Sequence, residues 1–144
     1  MRACRTVPDG VKCRKTVAAP RARQNGGTTM PHIPSAPTAE LSILPFADAM
    51  ARSGQSGGYD AEKWLYVPDF YTEYRYLLGT RGEKPLVCIG INPSTAEPDR
   101  LDPTLQSVER VAKNNGYDSF LMFNVYAQRA TRPDDMERVC NSAL

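Results

Sequence analysis

Two short polar clusters hold the side chains of this 144-residue chain best suited to chemistry. One is Asn92-Pro93-Ser94-Thr95; the other runs from Asn124 to Thr131 and includes Tyr126 and Arg129. An asparagine carries both an amide donor and a carbonyl acceptor, so Asn92 suits fixing a base edge or orienting a water. Pro93, Ser94 and Thr95 continue the turn, and the two hydroxyls with their backbone N–H groups are of the kind that cradle an anion. Arg129 offers a planar fork for phosphate or carboxylate. Each residue also has a plainer reading. Asn-Pro is a common turn, and Ser or Thr after it often caps the next one. Asn124 falls inside an apolar strand, so it needs a hydrogen-bond partner or a functional reason. Asp102, ahead of Pro103-Thr104, reads as a helix cap before it reads as a catalytic carboxylate. Thr131 and Asp134 read as helix-start residues.

Other chemistries are poorly supplied. His32 is the only histidine, and it lies in a proline-rich stretch. Ser-His-Asp, Cys-His and His-metal sites are therefore not expected within this chain. Cys4 and Cys13 are nine residues apart, which is not zinc-ligand spacing, and Cys88 and Cys140 sit in apolar surroundings. The reading is free thiols in a cytoplasmic protein, with no metal and no cofactor. Glu97 and Asp99 form an acidic pair in a loop, which is usually solvated. Tyr66, Tyr71, Tyr74 and Tyr76 are of a type that stacks on bases, although such a group more often covers a sheet edge or core.

The elements that must position the two clusters follow from the pattern. Trp64 to Tyr71 reads as extended, broken by Pro68, and Tyr74 to Leu78 reads as a strand ended by Gly79. Pro85 to Asn92 (PLVCIGIN) is a nearly continuous apolar run, the signature of a strand buried on both faces of a parallel sheet. Asp102-Pro103 opens a helix that runs to about Asn115, with Leu105, Val108, Val111 and Ala112 on one stripe and Gly116 as its stop. Phe120 to Ala127 reads as a second apolar strand. Arg132-Pro133-Asp134-Asp135 opens another helix, with Met136, Val139 and Cys140 on its apolar face. Alternating strands and helices predict an α/β fold with a parallel pair at its centre, part of a three-layer sandwich. Both polar clusters then stand at carboxyl ends of strands, where open α/β sheets bind ligands.

Composition divides the chain before these elements. Six of the twelve prolines fall by Pro45 and six of the ten glycines by Gly58, whereas eleven of the twelve aromatics come later. Residues 1–57 are therefore expected to form a disordered arm, with 58–144 the N-terminal portion of an α/β domain. Within the arm, only Leu41 to Met50 is apolar, and it reads as a short docking segment. The formal charge of +2 comes from 18 Lys/Arg and 16 Asp/Glu. Seven of those bases and one acid lie in residues 1–29, which leaves eleven bases against fifteen acids in the remainder. An acidic remainder does not draw nucleic acid through its overall field. The basic stretch superficially fits a transit peptide or a nucleic-acid-binding arm; a start at Met30 or Met50 accounts for it more simply. No run approaches the roughly 18 apolar residues of a membrane span.

Residues 74–137 resemble an uncharacterised bacterial and phage family, the one catalogued as domain of unknown function 1643. The residues that carry the resemblance are Arg75-Tyr76, Gly90-Ile91-Asn92-Pro93-Ser94-Thr95-Ala96, Asp102-Pro103-Thr104, Gly116-Tyr117, Asn124, and Ala130-Thr131 with Pro133. That family normally continues through further β/α units to a late His-Pro motif, so the resemblance implies a chain truncated at its C-terminus. Gly90-Ile91-Asn92-Pro93 is also similar to the first motif of mismatch-type uracil-DNA glycosylases. That similarity implies a uracil-DNA-glycosylase-like fold in which Asn92 orients the attacking water and the Pro93-Ser94 backbone faces the substrate. Ser94 stands where that motif has glycine. Three readings follow. One is a glycosylase-type hydrolase acting on a nucleobase, nucleotide or nucleic acid. The second is a non-catalytic nucleotide- or nucleic-acid-binding module, with Asn124 and Arg129 among its contacts and Asp102, Thr104, Tyr126 and Thr131 nearby. The third is an inactive fragment.

Overall fold

The structure, a computed structural model, describes residues 38–139 and 141–144. The basic stretch of residues 1–29, Cys4, Cys13, His32 and Cys140 lie outside the described residues. The helix α1 (Phe46–Arg52) is followed by strands β1 (Trp64–Val67), β2 (Leu77–Thr80) and β3 (Pro85–Gly90). Helix α2 (Pro103–Asn114) and strand β4 (Ser119–Asn124) complete the set. The four strands form one sheet in the order β1-β2-β4-β3. β1 with β2 and β2 with β4 run antiparallel, and only β3 with β4 runs parallel. The sheet is thus mixed, and the parallel pair expected at its centre stands at one edge.

Register assigns the faces. Leu78, Phe120 and Met122 point to one side, where Trp64 joins them and α2 presses down Leu105 and Ala112. The first turn of α2 is closed as its sequence requires: the Asp102 carboxylate accepts the Leu105 N–H at 2.9 Å, and Pro103 fills the position that has no N–H to satisfy. Fully burying a side chain such as Leu78, Phe120 or Leu105 stabilises the fold by about 1.5–3 kcal/mol each. β2 and β4 approach closely because Gly79 has no side chain; a Cβ there would overlap the carbonyl oxygen of Phe120.

The opposite face carries Val67, Leu77, Leu121 and Phe123, covered by Ala49 of α1. Here the structure differs from the arm drawn over residues 1–57. Residues 46–52 form a helix within it, and its Phe46 ring lies edge-on to Tyr76 at 5.9 Å. The Tyr76 hydroxyl donates to Leu44 O at 2.7 Å, which anchors the segment ahead of α1. Farther upstream, the Thr38 side chain donates to the Glu137 carboxylate, and Asn141 Nδ2 donates to Thr38 O at 3.3 Å. The Leu41–Met50 apolar patch therefore docks as its composition indicated.

α1 is only seven residues long and covers only part of its face. β3 stands at the edge of the sheet, with Val87 56% and Ile89 73% exposed on the side that α1 does not reach. The expectation that β3 is buried on both faces is therefore corrected: only Leu86 and Cys88, on the α2 side, pack against the core. The second helix expected after Arg132 is a single 3-10 turn, Pro133–Asp135, and Val139 is 83% exposed. Two acids in one turn do not extend a helix whose apolar residue Val139 finds nothing to pack against. Among the described residues no helix is long and apolar enough to cross a membrane.

Candidate functional site

The loop after β3 and the chain after β4 are stapled together at the carboxyl end of the parallel pair. Asn92 Nδ2 donates to Ala130 O at 2.9 Å and to Pro93 O at 3.1 Å. The Ala130 N–H donates back to Pro93 O at 2.9 Å, and the Val125 and Tyr126 N–H groups donate to Gly90 O and Ile91 O. Both clusters picked from the sequence are therefore neighbours. The Asn92 amide nitrogen is committed to holding the loop, while its Oδ1 accepts no hydrogen bond among the described residues. The N–H groups and hydroxyls of Ser94 and Thr95 likewise make no hydrogen bond there.

Two arginines reach this loop from behind. Arg129 is 3% exposed; its Nε donates to Ser94 O at 2.9 Å and its Nη1 to the Tyr66 hydroxyl at 3.1 Å. The fork read from the sequence is buried, and two of its nitrogens are engaged by neutral oxygens. The second arginine, Arg75, is 2% exposed, and its Nη1 donates to Ala96 O. Its Nε is buried without an acceptor. Burial first, and then the neighbouring Arg129 charge, push the Arg75 guanidinium down to about 10, so it stays charged at neutral pH. Sequence reasoning overlooked Arg75. The signal was available, because a charged residue inside the apolar run Tyr74 to Leu78 has to find partners once buried.

The carboxylates around the loop are occupied. Glu97 Oε2 pairs with Arg100 at 2.7 Å, and its Oε1 lies 3.8 Å from Arg129 Nη2. Asp99 pairs with Lys63 at 2.8 Å and accepts the Trp64 indole N–H at 3.1 Å. The acidic loop is thus an ion-paired clamp. Among the described residues no group of three or more His, Cys, Asp or Glu could hold a metal ion. Asp102 caps α2, and Thr104 is exposed in the first turn of that helix. The Tyr126 hydroxyl accepts the Asn141 N–H at 3.2 Å, which makes it a brace for the last residues. Thr131 is exposed.

Asn124 faces Gly90 across the parallel pair, on the α2 side of the sheet. A Cβ at Gly90 would lie 3.1 Å from Asn124 Oδ1, and Asn124 Nδ2 is buried without an acceptor. The partner its position calls for is absent among the described residues. Residues 75–143 match the family described as Protein of unknown function (DUF1643). The DUF1643 match begins at Arg75 and takes in the Asn92 loop, Asn124 and Arg129, whereas α1, β1 and most of the tyrosine cluster precede it. No curated protein and no solved structure matches the chain.

Two cavities lie on this half of the structure, one bordering the loop at Glu97 and Pro98 and one between β3 and α2. One, of about 400 Å³, is lined by Tyr59, Tyr66, Asp69, Phe70, Tyr71 and Glu97, among others. The other, of about 580 Å³, is an apolar groove between β3 and α2 that includes the free Cys88. The tyrosines serve mainly as covering: Tyr74 is fully buried and stacks on Tyr71 at 5.2 Å. Tyr66 differs in that its hydroxyl also accepts a hydrogen bond from Arg129.

Proposed function

We infer that the protein acts on a nucleobase, nucleotide or nucleic acid as a hydrolase of the glycosylase type, with Asn92 orienting the water. The observation that carries this reading is the division of labour within one amide. Asn92 Nδ2 is locked by two carbonyl oxygens, which holds Oδ1 in a fixed direction as an open acceptor at the end of β3. A preorganised acceptor of this kind aligns a water without reorganising during the reaction. In the step itself the water oxygen forms a bond to the sugar C1′ as the C1′–N bond breaks. The electron pair leaves with the base, the water gives its proton to solvent, and the base takes one from solvent. Asn124 and the Ser94–Thr95 groups supply the donors that would hold the substrate.

A non-catalytic binding module is favoured by a different observation. Glu97, Asp99 and Asp102, the carboxylates of the loop after Asn92, are each engaged, so none of the three stands ready as a general base. Incubation with uracil- and hypoxanthine-containing single and double strands separates the two. The hydrolase releases free base, and Asn92→Ala abolishes release while substrate binding persists. Binding with no release in either protein establishes the module and refutes the hydrolase.

A further inference from the structure

The two buried arginines are short of negative charge. Arg75 and Arg129 are 2% and 3% exposed and close enough for one charge to act on the other. Among the described residues the one carboxylate within ion-pair reach of either is Glu97, at 3.8 Å from Arg129 Nη2 and at 2.7 Å from Arg100, its nearer partner. Asp102 also acts on Arg75, but its carboxylate is spent on capping α2. What the guanidiniums do reach are neutral oxygens: Ala96 O, Ser94 O and the Tyr66 hydroxyl. Arg75 Nε is buried with no acceptor among the described residues. Burying like charges together with so little compensation is costly unless an anion completes the set. Arg129 holds Ser94 by its carbonyl oxygen, and the N–H groups and hydroxyls of Ser94 and Thr95 make no hydrogen bond among the described residues; a cavity of about 400 Å³ is lined by Tyr66 and Glu97, the two side chains that stand between it and Arg129.

We propose that Arg75 and Arg129 form an anion site for a phosphate-bearing ligand, entered past Tyr66 and closed in the free protein by Glu97. The ligand phosphate takes the place that the Glu97 carboxylate holds loosely. The guanidinium pair and the Ser94–Thr95 donors supply the fork geometry and hydrogen bonds that phosphate oxygens accept. Glu97 is then an internal competitor rather than a structural partner. The site borders the Asn92 loop but does not depend on the hydrolase reading: phosphate can bind whether or not any base is released.

The test is calorimetric titration and thermal stabilisation of the full chain at constant ionic strength. The probes are inorganic phosphate, a nucleoside 5′-monophosphate and a dinucleotide with an internal diester. Saturable binding of at least one is expected, and the arms tell free phosphate, terminal ester and diester apart. Arg129→Gln should weaken it about tenfold or more, the loss of one strong charged contact. Glu97→Gln should strengthen it about threefold by removing the competitor, which a purely structural Glu97 would not do. Arg75→Lys keeps the charge and a donor for Ala96 O, so it guards against misfolding; it should weaken binding while the protein still melts cooperatively. No saturable binding of any probe overturns the proposal. So does binding that Arg129→Gln leaves unchanged, or that Glu97→Gln weakens.

Discussion

Replacing Asn92 by alanine removes one hydrogen bond within the β3 loop, to Pro93 O, and one that joins the loop to the chain after β4, to Ala130 O. Each neutral bond is worth about 1 kcal/mol net. The larger loss is at Ala130, which is 1% exposed, so its carbonyl is left in the interior without the Asn92 donor. An orphaned buried acceptor costs about 1–3 kcal/mol. The Pro93 bond and the orphaned Ala130 carbonyl together give about 2–4 kcal/mol, or roughly 10–20 °C in Tm for a domain of this size. Asn92→Asp separates bracing from mere occupancy of the space. It places a carboxylate oxygen where Nδ2 faces two carbonyl oxygens, so above neutral pH it should destabilise more than alanine does. Acid restores an O–H donor there, so the aspartate variant alone should regain stability as pH falls. Urea unfolding followed by fluorescence of Trp64, the only tryptophan and 4% exposed, reads all three proteins. An alanine cost below about 0.5 kcal/mol, or an aspartate variant milder than alanine, would refute the argument that this amide holds the loop.

Asp102→Ala should cost about 1 kcal/mol through loss of the α2 cap, measurable in the same urea titration, with Asp102→Asn nearly neutral. Tyr59 is pushed up to about 12, first by burial and then by the Asp69 charge and the hydrogen bond it donates to Asp69 at 3.1 Å. The folded state thus binds this proton more tightly than the unfolded chain, so its contribution is complete below pH 10 and is lost as pH rises through about 12. Asp69→Asn should lower the Tyr59 titration in an absorbance measurement; an unchanged curve counts against the assignment. Ile89→Lys, at a position 73% exposed on the bare face of β3, should leave stability within about 0.5 kcal/mol. Sedimentation should show less self-association than in the parent chain; a large loss of stability would mean that this face is covered.

Local signals in the sequence proved sound where they were purely local. The Asp102-Pro103 start and the Leu105, Val108, Ala112 stripe specify α2, because cap chemistry and helical period need no distant partner. The apolar runs likewise mark β3 and β4. Neighbour relations were the part that could not be read. PLVCIG records that β3 is apolar on both sides, but not whether anything covers Val87 and Ile89. Nor does it tell that β4 pairs with the antiparallel β2 on its other edge. In the site, Asn92 and Asn124 were visible as polar groups at strand ends. Arg129 reads from the sequence as a planar fork for an anion, but its burial against Ser94 O and Tyr66, 35 and 63 residues away, is not legible there. Arg75 does leave a local mark, a charge inside the run Tyr74 to Leu78, but its partner Ala96 O lies 21 residues away and is not legible there.

The place of β4 in the sheet has a consequence for synthesis. β4 lies between β2 and β3, and it is the last of the four strands to be made. Until Asn124 has left the ribosome, β2 can pair only with β1, and β3 has no neighbour at all. At ordinary elongation rates of about 5–20 residues per second, β3 waits for a few seconds with its apolar residues unpaired. Over that interval α2 can begin to form on its own cap, but it has no finished sheet to rest on. The nascent chain is therefore most open to chaperone capture, or to mispairing with another copy, between the emergence of Gly90 and that of Asn124.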